Sequence, residues 1–151
     1  MKYIKIISSL LLCACAYGQE IKVANVINNI QTGPLVNNRN ISFGVKNIVE
    51  ELVQDRGYYL NENSNDSIVI ELIYFGGKRT STTAAIYNKK ATTIEIIALG
   101  RYKNKKVKAK GSAKDISTSL IILNKQGNFK QNSVSVTLKK LCDELIDKLK
   151  L

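Results

Sequence analysis

The chain contains no histidine and no tryptophan, one proline, three cysteines, and 12 acidic residues against 23 Lys and Arg. Without histidine there is no imidazole base, no imidazole metal ligand and no Ser-His or Cys-His nucleophile pair. The residues offer neither a metal site nor a cofactor site. Two of the cysteines, Cys13 and Cys15, lie in the first stretch of the chain, which leaves Cys142 alone in the remainder. One cysteine cannot form an intrachain disulfide, so a hydrophobic core must hold the fold. The single proline, Pro34, sits beside Gly33 among asparagines, a composition that favours turns and irregular backbone over Asn28 to Asn40.

The N-terminus is the most informative segment. Lys2 and Lys5 precede a largely apolar run from Ile6 to Leu12, followed by the small-residue stretch Cys13-Ala14-Cys15-Ala16-Tyr17-Gly18. A charged start, an apolar middle too short to span a bilayer and small residues at the end form a secretory leader. Two ends are open. Cleavage after Gly18 makes 1–18 a signal peptide and Gln19 the first residue of a soluble periplasmic or secreted protein. Reading Leu12-Cys13-Ala14-Cys15 as a bacterial lipoprotein box makes Cys15 the lipidated first residue of a protein anchored at the outer membrane on its periplasmic side. Either way the rest, 19–151, is about one domain long.

The formal net charge is +11. Such a balance favours anionic partners, namely lipid headgroups, lipopolysaccharide, acidic glycans or nucleic acid, although abundant Lys, Asn and Ile also arise from AT-rich coding without selection for binding. Export makes intracellular nucleic acid a poor target.

Periodicity supplies the elements. Ile21 to Ile27 is expected as a first strand, and Phe43 to Arg56 as a helix with Ser42 as N-cap and Gly57 as its stop. Ser67 to Phe75, apolar on both faces except for Glu71, is expected as a central strand. Thr80 to Tyr87 is a weaker, polar strand, connected by Asn88-Lys89-Lys90 to the next. Thr92 to Tyr102 and the stretch from Val107 to Lys114 form a hairpin around Lys103-Asn104-Lys105-Lys106. Leu138, Leu141, Cys142, Leu145, Ile146 and Leu149 give the three-and-four spacing of a terminal helix with Cys142 on its buried stripe. Leu120 to Leu123 fits a helical turn or a short edge strand. The order β-α-β-β-β-β-α implies an α+β two-layer sandwich, a mainly antiparallel sheet of four to five strands with two helices on one face.

The run Phe43-Gly44-Val45-Lys46-Asn47-Ile48-Val49-Glu50-Glu51-Leu52, with Asp55-Arg56-Gly57-Tyr58, a long apolar strand from Ile68 and a late hairpin before a C-terminal helix, resembles the YajG-type lipoprotein family. More loosely it is similar to the small α+β domains of the curli-secretion lipoprotein family. The resemblance implies an outer-membrane lipoprotein and carries over no catalytic residue.

Two function classes follow. The first is an exported, non-enzymatic cell-envelope protein, a binding or assembly and secretion accessory factor. Its candidate contacts are Lys103, Lys105, Lys106, Lys108, Lys110 and Lys114, with Lys108, Lys110 and Lys114 on one strand face. The second is a small exported hydrolase acting on a glycan through Glu71 and Glu95. Gly76-Gly77-Lys78 and Gly111-Ser112-Ala113-Lys114 lack the spacing and the strand-loop-helix setting of a phosphate loop and are expected as turn and strand glycines.

Overall fold

The computed structural model describes residues 18–33, 36, 40–84, 87–120 and 131–151. Residues 1–17, Cys13 and Cys15 among them, and 121–130, with Ile121 to Leu123, lie outside the described residues. The elements are β1 (Glu20–Thr32), α1 (Ser42–Asp55), β2 (Tyr59–Leu60), β3 (Ser67–Ala84), β4 (Tyr87–Tyr102), β5 (Lys105–Leu120) and α2 (Gln131–Leu149). The expected order β-α-β-β-β-β-α and the α+β class are those of the structure.

The five strands form one mixed sheet in the order β2-β1-β3-β4-β5. β1 is parallel to both β2 and β3, because α1 carries the chain back to the end of the sheet where β1 begins. The long pairs β3–β4 and β4–β5 are antiparallel hairpins. Three details depart from the sequence-based expectation. Thr80 to Tyr87 is not a separate strand: Gly76-Gly77-Lys78 continues β3 without a turn, and the hairpin falls after Ala84. Asn88-Lys89-Lys90 is correspondingly part of β4, and β1 runs on through Asn28 to Thr32. Ser42 is the first helical residue rather than the cap; its backbone N–H donates to the Asn40 side-chain oxygen at 3.0 Å. Here an asparagine two residues upstream satisfies the free helical N–H.

One sheet face packs against both helices. It contributes Ile21, Val23, Ile68, Ile70, Leu72, Phe75, Ile94, Ile96, Ala98 and Ala109 to the core. α1 adds Val45, Val49 and Val53, one helical stripe, and α2 adds Leu138, Leu141, Cys142, Leu145, Ile146 and Leu149. α2 lies close on β4 and β5 because two glycines open the sheet beneath it. A Cβ on Gly111 would sit 2.1 Å from the Thr137 carbonyl oxygen, and one on Gly100 would sit 3.0 Å from Leu145. Any side chain at 111 would hold the helix off the sheet. The C-terminus is fastened as well: Arg56 donates to the Leu151 carbonyl and pairs with Asp147, and Lys105 Nζ donates to the Leu149 carbonyl at 2.8 Å.

Candidate interaction surface

Among the described residues no helix lies on the other face of the sheet, the helix-free face. Strand alternation and register define its rows. Arg101 of β4 lies between Val69 of β3 and Lys106 of β5, Leu99 between Glu71 and Lys108, and Ile97 between Tyr74 and Lys110; Thr93 lies between Lys78 and Lys114. The surface is therefore a half-buried apolar strip of Val69, Tyr74, Ile97 and Leu99 with lysines along its β5 rim. Gly76 allows the Tyr74 ring to lie along the strand, since a Cβ there would meet the phenol oxygen at 2.2 Å.

The six lysines expected to act together are not equivalent. Lys106, Lys108, Lys110 and Lys114 share the helix-free face, as alternation predicts, with Lys106 extending the row expected from Val107 onward. Lys110 Nζ is 2.7 Å from the Glu95 carboxylate. Lys105 points to the opposite face, where it caps α2, and Lys103 sits in the turn with its ammonium 3.0 Å from Asp66. That leaves Lys106, Lys108 and Lys114 exposed and without an ion-pair partner among the described residues. The distinction was not legible in the sequence, because each engaged partner lies on another element.

At the turn end of the sheet a shallow cleft of about 230 Å³ is lined by Asn65, Asp66, Ser67, Val69, Arg101, Tyr102 and Lys103. Lys103 adopts φ 50° in the two-residue turn, and its ammonium lies 5.1 Å from the centre of the Tyr102 ring. Gln19 donates from its side-chain amide to Asp66 and to the Tyr102 hydroxyl, and the Tyr102 hydroxyl in turn donates to Asp66 at 3.4 Å. The hydrogen bond from Lys103, then that from Gln19, holds the Asp66 carboxyl below its usual range. Bonding to Asp66 and then to Tyr102 raises Lys103, and burial raises the Tyr102 phenol. The Asp66 and Lys103 charges are thus paired with each other. The cluster works as a latch holding the start of β1 to the β3 entry and the β4–β5 turn, a role that Gln19 and Asp66 did not reveal in the sequence.

Glu71 and Glu95 share the helix-free face but are not brought together. Glu71 lies opposite Leu99, four residues along β4 from Glu95, which is about 13 Å at ~3.3 Å per residue. Paired glycosidase carboxylates stand roughly 5 to 9.5 Å apart. Each is also engaged, Glu71 with Arg101 at 3.6 Å and the Asn29 amide at 2.9 Å, Glu95 with Lys110. Cys142 is buried in the α2 core, as its helical spacing predicts, and burial pushes its thiol up to about 12. Among the described residues no group of three His, Cys, Asp or Glu side chains could hold a metal ion, and no helix is long and apolar enough to cross a membrane.

No family model and no curated protein matches the chain. Among solved structures it is similar to a putative neuraminyllactose-binding hemagglutinin homolog from Helicobacter pylori, at 5% identity and a TM-score of 0.53 over 87% of this chain and 83% of that one. It is more distantly similar to a minor lipoprotein from Acinetobacter baumannii (9% identity, TM-score 0.41, 82% and 91% covered) and to rare lipoprotein B from Shewanella oneidensis (10%, 0.35, 83% and 94%). At 5% identity the Helicobacter structure shows a shared fold and nothing more.

Proposed function

We propose that the chain is an exported, non-enzymatic cell-envelope protein of YajG-like lipoprotein character, which binds anionic envelope lipid through its helix-free sheet face. The supporting observation is the row of Lys106, Lys108 and Lys114, exposed and unpaired among the described residues, beside the apolar strip of Leu99 and Ile97. Ammonium groups beside an apolar strip match the chemistry of a phosphate-bearing lipid surface. The leader reading places the protein in the periplasm or on the periplasmic side of the outer membrane. The wide separation of Glu71 and Glu95 speaks against the hydrolase alternative.

The test is co-sedimentation of the exported protein with vesicles containing anionic phospholipid at low salt. Replacing Lys106, Lys108 and Lys114 by glutamine should abolish most of the binding, whereas Lys110→Gln, which removes an engaged lysine, should have a small effect. Equal binding by the triple variant and the wild type sinks the proposal. The name of the Helicobacter neighbour adds one competitor to include, the anionic sugar neuraminyllactose; displacement from the vesicles by this sugar would move the reading from lipid to glycan.

A further inference from the structure

Among the described residues the β3–β4–β5 ribbon outruns the other elements. β1 leaves β3 at the Thr32–Phe75 pair, yet β3 continues to Ala84. On the helix-bearing face, α2 starts at Gln131, six residues before Thr137, which lies over Gly111; at 1.5 Å per residue it reaches about 9 Å further, to the level of Lys114. Beyond the Lys78–Thr93–Lys114 row the ribbon is therefore an arm past both helix and β1. Every residue from Lys78 to Thr83 is exposed, so both faces of this strand are solvated.

The β5 edge carries Lys114 and Asp115 at the base of the arm and then runs uncharged from Ile116 to Leu120, while Lys106, Lys108 and Lys110 give the usual protection of an open strand only below it. The β3 edge has Lys78 and Arg79 at the base and then Thr80-Ser81-Thr82-Thr83-Ala84, which has no charge, no proline and no bulge and is rich in threonine, which favours strands. The direction of its backbone groups follows from one bond. Gly33 N–H donates to the Phe75 carbonyl at 2.8 Å, so Phe75 faces the β1 side. By alternation Gly77, Ser81 and Thr83 turn their N–H and C=O groups to that same side, where no strand pairs with them among the described residues.

We infer that the β3 edge of this arm, centred on Ser81 and Thr83, is a strand-addition site that takes an extended acidic segment of a partner protein. Main-chain bonding to the edge supplies the affinity, and charge supplies the choice of partner. Lys78, Lys89 and Lys114 lie exposed on the arm, which also holds Arg79 and Lys90, while Asp115 is its single acidic residue. That charge repels a second copy of the same arm and attracts a carboxylate-bearing strand. The site shares Lys114 with the lipid row but lies apart from Lys106 and Lys108, so it rests only on the binding-protein reading above, and because Ser81→Pro leaves that row intact the lipid and peptide experiments can fail separately.

The experiment uses the exported protein and two end-capped, fluorescently labelled decapeptides, one alternating Thr and Glu, the other alternating Thr and Lys. Anisotropy should show the Thr-Glu peptide binding at least about tenfold more tightly than Thr-Lys, and hydrogen exchange should show new amide protection at Ser81 and Thr83. Ser81→Pro removes an outward N–H without touching the β3–β4 ladder, and should weaken the peptide about tenfold while leaving vesicle binding and melting temperature unchanged. Thr83→Lys, which guards the edge, should do the same. Equal affinity for both peptides, absence of protection at Ser81 and Thr83, or indifference to Ser81→Pro overturns the proposal. So does concentration-dependent dimerisation that Ser81→Pro abolishes, which would make a second copy the occupant.

Discussion

Placing one methyl group at Gly111 tests how the two layers are held together. Its Cβ would lie 2.1 Å from the Thr137 carbonyl oxygen, 2.8 Å from Leu141 Cβ and 2.9 Å from the Leu141 nitrogen. Two of these three atoms are helix backbone, which cannot rotate away, so α2 must withdraw from β5 by about 1 Å to restore ordinary contact distances. Withdrawal loosens Leu138, Leu141 and Leu145, which are buried under the same helix. Overpacking of this kind costs typically 1–3 kcal/mol, and a backbone clash belongs at the upper end, so Gly111→Ala should lose about 3 kcal/mol and about 10 °C of melting temperature. Gly100→Ala meets only the Leu145 side chain, at 3.0 to 3.2 Å, which can shift; about 1 kcal/mol is expected. Gly44→Ala, inside α1 with its nearest neighbour at 3.7 Å, should stabilise by about 0.5–1 kcal/mol through backbone entropy. Urea unfolding of the three variants should give that order. Gly111→Ala as stable as the wild type, or milder than Gly100→Ala, would refute the close seating of α2 on β5.

Cys142 should resist a thiol reagent at pH 8 in the folded protein, because burial pushes its pKa up to about 12, and should react at the rate of unfolding; immediate labelling of native protein would contradict its burial. The Asp66 latch gives stability a sign with pH. The Asp66 pKa is lowered in the fold, so its contribution is present above the unfolded carboxyl value and is lost as pH falls through the folded one; Asp66→Asn should flatten that acidic limb of a melting-temperature profile. At the other end, the raised Lys103 loses its contribution as pH rises through its folded pKa, and the raised Tyr102 penalises the fold once the unfolded phenol ionises near pH 10, so stability should also fall there. Mass spectrometry of the exported protein decides between the two leader readings: a first residue Gln19 means a free chain, and a diacylglyceryl Cys15 a lipid-anchored one.

Local pattern carried most of the elements. The apolar stripe of α2, the glycine stop after α1 and the alternation of β4 and β5 each arise within a few residues, so spacing alone finds them. The misplaced boundaries share a cause. Gly76-Gly77 and Asn88-Lys89-Lys90 have turn composition, yet β3 and β4 run through them because each is paired residue by residue with a long neighbouring strand. Pairing across the ribbon overrides local preference there. The first-strand boundary is missed for a similar reason, since Asn28 to Thr32 is polar but remains alongside Leu72 to Phe75.

By itself the sequence determined the α+β class, both helices and the burial of Cys142, because periodicity and single-residue chemistry are local. It also determined that no imidazole chemistry is available. Only the tertiary structure decided which lysines remain unpaired, because Glu95, Asp66 and the Leu149 carbonyl, which engage Lys110, Lys103 and Lys105, reach them across the sheet or from α2. It also decided that Glu71 and Glu95 stand four rungs apart, and that β3 outlasts β1 to leave an edge unpaired among the described residues. Register and strand length are properties of pairing between distant segments, and a linear pattern holds neither.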